Sequence, residues 1–376
     1  TFTILESREQ SGGTWDLFQY PGIRSDSDMH TLGFNFKPWT AAKSIADGPS
    51  IKNYLTETID EHGLAQHIRH AHKVLSANWS SSDATWTVTT DHKGETQQFR
   101  CNFLMMCSGY YNYDTPYTPD FKGLDTFKGM VIHPQHWPKD LDYTNKKVVV
   151  IGSGATAMTL VPAMADDAAS VTMLQRSPTY VVARPDQDKI ANTLRKLLPD
   201  SMAYALTRFK NTQLQHFMYQ RMRKEPTKMK KALVGMVSDA LGPDYDVEKH
   251  FTPKYNPWDQ RLCLIPNGDL FKSIKKGKTQ VITDQIDTFT ANGITLTSGD
   301  TLEADIIITA TGLNMQVMGG STFAVDGRSV NFADTVSYKG MMYAEIPNLI
   351  QTFGYINASW TLRADLTAEY ACRVIN

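Results

Sequence analysis

The segment Lys147-Val-Val-Val-Ile-Gly152-Ser153-Gly154-Ala155-Thr156-Ala157 has the residues to cradle a diphosphate. Its apolar run predicts a central parallel strand. Gly152 permits a tight turn, and Gly154 lets backbone approach phosphate. Ala157 replaces the third glycine of G-x-G-x-x-G while keeping helix and strand close. A helix starting at Ala155 aims free N–H groups at a pyrophosphate. The same pattern also occurs as a plain structural turn. The next strand, Ser170 to Gln175, ends in Arg176, where an NAD site carries a carboxylate. A guanidinium there pairs bidentately with a 2′-phosphate, which favours NADPH. The alternative is a solvated surface arginine.

The chain opens Thr1-Phe-Thr-Ile-Leu-Glu6. An acid closing a short apolar strand accepts a ribose hydroxyl in dinucleotide folds. It follows its glycine loop by about 20 residues. No such loop precedes Glu6. Either about 30 upstream residues, a strand, a loop and a helix, belong before Thr1, or Glu6 simply ends an edge strand. The chain also stops inside a helical pattern that begins near Leu362.

Composition narrows the classes. Of 376 residues, 41% are apolar and 20% charged, an ordinary globular balance with room for two or three domains. Net charge is −1, so no global field draws the chain to nucleic acid or an anionic membrane. Cys101, Cys107, Cys263 and Cys372 form no C-x-x-C pair, which argues against zinc and against a redox dithiol. Scattered thiols suit a reducing, cytoplasmic setting. No apolar run is long enough for a membrane helix. Arg184 to Lys231 holds twelve Lys or Arg against four Asp or Glu; a solvated helix face explains this more simply than lipid or nucleic acid does.

The expected fold class is α/β, with two Rossmann-like dinucleotide-binding domains. Residues 1–140 are the first part of one. Ile51 to Gly63 is its helix, with Ser50 as N-cap. Thr85 to Thr90 and Thr96 to Cys101 form a hairpin around Asp91 to Gly94. Tyr110 to Pro119 is a loop whose tyrosines either wall a pocket or simply pack. Residues 141–310 are the second domain, with a helical insertion at about 186–241. The strand from Asp305 ends at Thr311-Gly312, and 311–376 return the chain to the first domain.

One further stretch, Phe127-x-Gly129-x-x-x-His133-x-x-x-Trp137-Pro138, resembles the fingerprint of the flavin-dependent Baeyer–Villiger monooxygenases at every fixed position. Other segments then also look like that family. They are Gly12-Gly13-Thr14-Trp15, Tyr20-Pro-Gly22-Ile-Arg24-Ser-Asp26, Asp259-Gln-Arg261 and Gly354-Tyr-Ile-Asn357-Ala-Ser-Trp360. The resemblance spans essentially the whole chain.

What it implies is an enzyme using FAD, NADPH and O₂ to convert ketones to esters or lactones through a flavin peroxide, with sulfides as further substrates. Arg261 becomes the catalytic cation beside the developing charge, and Asp26 the carboxylate that orients it. Bland alternatives are an interdomain salt bridge and a turn-forming aspartate. Glu6, Gly13, Thr14, Trp15, Asp26, Asn357, Thr311 and Gly312 join 152–157 and Arg176 as cofactor-binding residues. His133 couples cofactor binding to domain motion rather than acting as a base, and Trp137 packs in that linker. Two other readings stand beside this one. The first is a related flavin enzyme that hydroxylates nitrogen or sulfur, which lacks the terminal Trp-Pro. The second is a remnant that binds NADPH but not FAD.

Overall fold

The computed structural model describes residues 1–376. Two compact units account for the chain. The first comprises 1–17, 49–115 and 313–376; the second comprises 18–48 and 116–312. The second unit's main segment thus runs from 116 to 312, against expected boundaries at 140 and 310. The strand Met130–Ile132 pairs with Ile306–Thr309 in the second unit's sheet, so the fingerprint segment belongs there. Residues 18–48 join that unit as well, through backbone bonds from Ser44 and Ile45 to the Asp186 carbonyl.

The second unit is built on five strands. Their spatial order is Thr279–Thr283, Ser170–Gln175, Lys147–Ile151, Ile306–Thr309, Met130–Ile132. Every pairing is parallel. Val148, Val149 and Val150 are each no more than 1% exposed, because helices and loops cover both faces. The chain winds outward from Lys147–Ile151 to one side and returns on the other. That strand therefore ends at the switch point, where open α/β sheets bind ligands. Helix Ala155–Met164 packs its buried side, Met158, Leu160, Val161 and Met164, onto the sheet.

Four helices follow one another between two parallel partner strands, Tyr180–Arg184 and Leu262–Pro266. They are Lys189–Leu197, Asp200–Lys224, Pro226–Leu241 and Val247–Phe251. Asp188 caps the first, accepting from the Ile190 and Ala191 amides at 3.0 Å.

The first unit holds a five-stranded sheet in the order Arg328–Ser329, Thr322–Val325, His72–Ser80, Thr85–His92, Glu95–Cys101. Two short parallel pairs accompany it: Ile4–Leu5 with Ile68–Arg69, and Leu349–Gln351 with Leu104–Met106. The hairpin is tighter than expected. Strands run to His92 and from Glu95, and Lys93 (φ +55°) and Gly94 (φ +90°) make a two-residue turn. The helix begins at Gly48, not after Ser50. Pro49 sits in its first turn, where a missing N–H costs nothing. Tyr111–Pro116 is a strand rather than a loop, paired with Leu313–Met315.

Trp86 centres this unit's core. It is fully buried, donates Nε1–H to the Pro347 carbonyl at 3.0 Å, and meets Phe323 edge-on at 6.1 Å. Trp86→Ala should cost about 3–5 kcal/mol in denaturant unfolding. A loss below about 1 kcal/mol would mean that the site collapses around the cavity.

Candidate functional site

The phosphate-loop geometry follows from two glycines. Gly152 has φ +137°, and a Cβ there would lie 2.3 Å from the Ala310 carbonyl oxygen. Only glycine lets the turn pass so close to the neighbouring strand. Gly154 directly precedes the ten-residue helix Ala155–Met164, and a Cβ there would meet nothing within 4 Å. Gly154 itself is exposed at the N-terminus of that helix. That arrangement fits a diphosphate. Ala157 is fully buried, closing helix onto strand. Ser153 Oγ donates to the Ser177 carbonyl at 3.1 Å and lies 3.1 Å from Thr179 Oγ1.

At the end of the next strand, Gln175 turns inward and Arg176 outward. Gln175 is 1% exposed and donates Nε2–H to the His250 carbonyl and to Thr283 Oγ1, both at 2.8 Å. Arg176 is exposed just past the strand. The exposed residue at this strand end is a cation, not a carboxylate.

Arg261 directly precedes the strand Leu262–Pro266 and forms an ion pair with Asp26. Both side chains are nearly half exposed, at 46% and 42%. A pair so wet is worth no more than about 1 kcal/mol to stability. Its value lies in orientation, since the carboxylate fixes where the guanidinium points. The neighbouring chain is held as well. Asp259 pairs with Arg223 at 2.6 Å, and Trp258 adopts φ +75°. Arg24, two residues before Asp26, pairs with Asp269.

The remaining candidates, Glu6, Gly13, Thr14, Trp15 and Asn357, lie in the first unit. Glu6 follows the strand Ile4–Leu5, and its Oε1 accepts the Arg8 amide at 2.8 Å. Gly12 (φ +125°) and Gly13 (φ +51°) turn the chain into Thr14 and Trp15. Thr14 Oγ1 lies 3.0 Å from the Tyr113 hydroxyl. Asp16 is clamped at 2.5 Å by both Arg8 and Lys52. Burial pushes its carboxyl up, but the Arg8 and Lys52 bonds outweigh burial and hold it below the usual range. Asn357 is half-buried in the segment after Gly354. A Cβ on Gly354 would sit 2.2 Å from the Trp360 ring, which itself stacks on Tyr110 at 5.0 Å. Tyr110 and Tyr113 belong to the tyrosine cluster expected either to wall a pocket or to pack, while Asp16 was not singled out. The tyrosine run at 110–113 was the available signal, but it does not say which ring holds which segment.

The fingerprint residues each have a mechanical role within the second unit. Phe127 is 9% exposed in the core, and a Cβ on Gly129 would strike the Asp305 carbonyl at 2.4 Å. His133 Nδ1 accepts the Gln135 amide at 3.1 Å, so Nε2 carries the proton and donates to the Gly312 carbonyl at 3.0 Å. Thr311, beside Gly312, donates to the Tyr117 carbonyl at 2.8 Å. Trp137 packs partly buried against the sheet's core. These bonds gather His133, Thr311 and Gly312 where the chain leaves the unit.

A five-stranded parallel sheet with a phosphate loop at its switch point defines a dinucleotide-binding α/β protein. Residues 45–243 match the family model "Flavin-binding monooxygenase-like". The FAD-containing monooxygenase EthA of Mycobacterium tuberculosis is 56% identical over 377 residues, covering all of this chain and 77% of the relative. The probable FAD-binding monooxygenase AlmA of Acinetobacter baylyi is 50% identical, covering all of this chain and 76% of the relative. Among solved structures, a steroid monooxygenase bound to NADP superposes with TM-score 0.82 at 21% identity, over 100% of this chain and 80% of that one. Cyclohexanone monooxygenase with bound ε-caprolactone gives 0.81 at 20% identity, over 99% and 82%. The chain belongs to the flavin-binding monooxygenase-like family, and its fold is that of the Baeyer–Villiger monooxygenases. No helix is long and apolar enough to cross a membrane.

Three histidines, His30, His133 and His250, are held below the ordinary imidazole value of 6.5, chiefly by burial. The unfolded chain therefore takes up protons at higher pH than the native one. Stability from these groups is full above about 6.5 and falls as pH drops below it. A thermal-unfolding series from about pH 7.5 to 5.5 should show a falling midpoint, shallower in His133→Gln. A midpoint that rises on acidification would contradict the burial of these rings.

Proposed function

We propose that this chain is an NADPH- and O₂-dependent FAD monooxygenase that converts ketones to esters or lactones and oxidises sulfides. It works in the cytoplasm on small molecules. The carrying observation is the Arg261–Asp26 pair, a cation fixed by a long-range carboxylate yet open to solvent. Bound FAD and NADPH supply the hydride and the activation of oxygen; the protein supplies position and charge.

Each residue set has a defined task. The amides of Gly154, Ala155 and Thr156 and the hydroxyl of Ser153 hold the NADPH diphosphate, and Arg176 takes its 2′-phosphate. Gly12 and Gly13 bring backbone close to the flavin nucleotide, with Thr14 and Trp15 beside it. Glu6, whose Oε1 is occupied by Arg8, offers Oε2 to a ribose hydroxyl. Asn357 closes the same site, and Thr311 and Gly312 are further cofactor-binding residues. Arg261 stabilises negative charge that builds on the substrate oxygen as the new C–O bond forms. Asp26 keeps that guanidinium from rotating away. A neutral, Nε2-protonated His133 is suited to holding the Gly312 carbonyl, not to removing a proton.

The test uses the full-length purified protein with NADPH, ¹⁸O₂ and a cyclic ketone. The expected result is bound FAD, ketone-dependent NADPH oxidation and a lactone carrying one ¹⁸O. Arg261→Ala should lower the rate by about 10²–10³, typical for one oxyanion donor. Oxidised amines or sulfides with no ester from a panel of ketones would replace this reading by nitrogen or sulfur hydroxylation. Colourless protein that binds only NADPH would replace it by a remnant.

A further inference from the structure

Helix Asp200–Lys224 grips the chain beside both members of the Arg261–Asp26 pair. Near its start, Tyr204, Arg208 and Asn211 share one face, spaced four and three residues apart. Arg208 Nη1 donates to the Gly33 and His30 carbonyls at 2.8 and 3.0 Å. These carbonyls belong to the C-cap and last turn of the short helix Met29–Leu32, where a cation is favoured. The Tyr204 hydroxyl donates to the Phe34 carbonyl at 3.0 Å. Asn211 Nδ2 donates to Asp28 Oδ1 at 2.9 Å, and Asp28 caps the same short helix by accepting the Thr31 amide. Asp26 stands two residues before Asp28.

The far end of the long helix holds the other partner. Arg223 Nη1 donates to Asp259 at 2.6 Å, two residues before Arg261. The Tyr219 ring meets Trp258 edge-on at 5.6 Å. Met222 is buried in a cluster that Tyr255, Trp258 and Leu262 also join. Trp258 sits at φ +75°, a conformation that persists only when its surroundings fix it.

Between these two grips the helix is bare, for no side chain from Arg208 to Arg221 is buried. Packing therefore does not account for the middle of the helix, but length does. Asn211 and Arg223 are twelve residues apart, about 18 Å at the helical rise. Opposite them, the runs Asp28 to Asp26 and Asp259 to Arg261 each reach about 7 Å when extended. The ion pair joins those runs and closes the frame.

We propose that helix Asp200–Lys224 is a strut that sets Arg261 against Asp26, with Arg208 and Arg223 as positioning residues, one for each partner. The proposal rests on the reading of Arg261 as the catalytic cation. Loss of either grip lets one partner swing, which costs rate rather than cofactor binding.

Steady-state ester formation by the full-length holoenzyme, with NADPH and a cyclic ketone, tests it. Arg208→Met and Arg223→Met should each lower kcat by about ten- to a hundredfold. The KM for NADPH should stay near its wild-type value. In an Arg261→Ala background the same changes should have little further effect, which a general loosening of the fold would not give. Arg223→Lys, which keeps a cation for Asp259, should recover most of the rate. The wet Arg223–Asp259 pair adds little to stability, so Arg223→Met serves if Arg208→Met folds poorly. Wild-type kcat in either methionine variant, or losses undiminished without Arg261, would overturn the proposal and leave the reading of Arg261 intact. If Arg261→Ala itself turns over at the wild-type rate, that reading falls and the proposal with it.

Discussion

Residues 18–48 are stitched to a sheet domain that begins a hundred residues later, and the candidate chemistry depends on that stitching. Asp26 reaches Arg261 and Arg24 reaches Asp269, while Ser44 and Ile45 bond to the Asp186 carbonyl. Gly22 (φ +73°) lets the chain pass helix Ala155–Met164, where a Cβ would lie 2.7 Å from Ala163. No one of these contacts is strong alone. Together they place one carboxylate beside one guanidinium at the mouth of a strand. Loosening the segment would leave Arg261 charged but unaimed.

The parallel sheet sets the rest. Its switch point puts the amides of the phosphate loop and the outward Arg176 at one edge. The paired strands Tyr180–Arg184 and Leu262–Pro266 then set Arg261 opposite Thr179, one residue before the ladder. Phosphate loop, cation and carboxylate are thus held by a single folded unit. The segments assigned to the flavin are braced separately in the other unit, by Tyr113, Tyr110 and the Asp16 clamp.

Much of this was legible in the residues. The valine run before Gly152 could only be a buried strand, and the glycine spacing fixed the turn and the helix start. Arg176 at the end of the next strand was visible because its carboxylate alternative is absent. Three things were not legible. Pro49 rather than Ser50 marks the start of its helix, because a proline in a first turn and a serine cap leave similar local patterns. The strand Tyr111–Pro116 was hidden by its Pro-rich ending and by a partner about two hundred residues away. The Tyr180 bond to the Tyr255 carbonyl depends on the parallel pairing of two strands separated by four helices, which no local pattern encodes.

The most direct measurement is a double-mutant cycle between Asp26 and Arg261 on the rate of ester formation. If Asp26 acts by aiming the guanidinium, Asp26→Asn slows the reaction when Arg261 is present and has little further effect in Arg261→Ala. Losses that simply multiply, or an Asp26→Asn variant as fast as the wild type, would contradict the account.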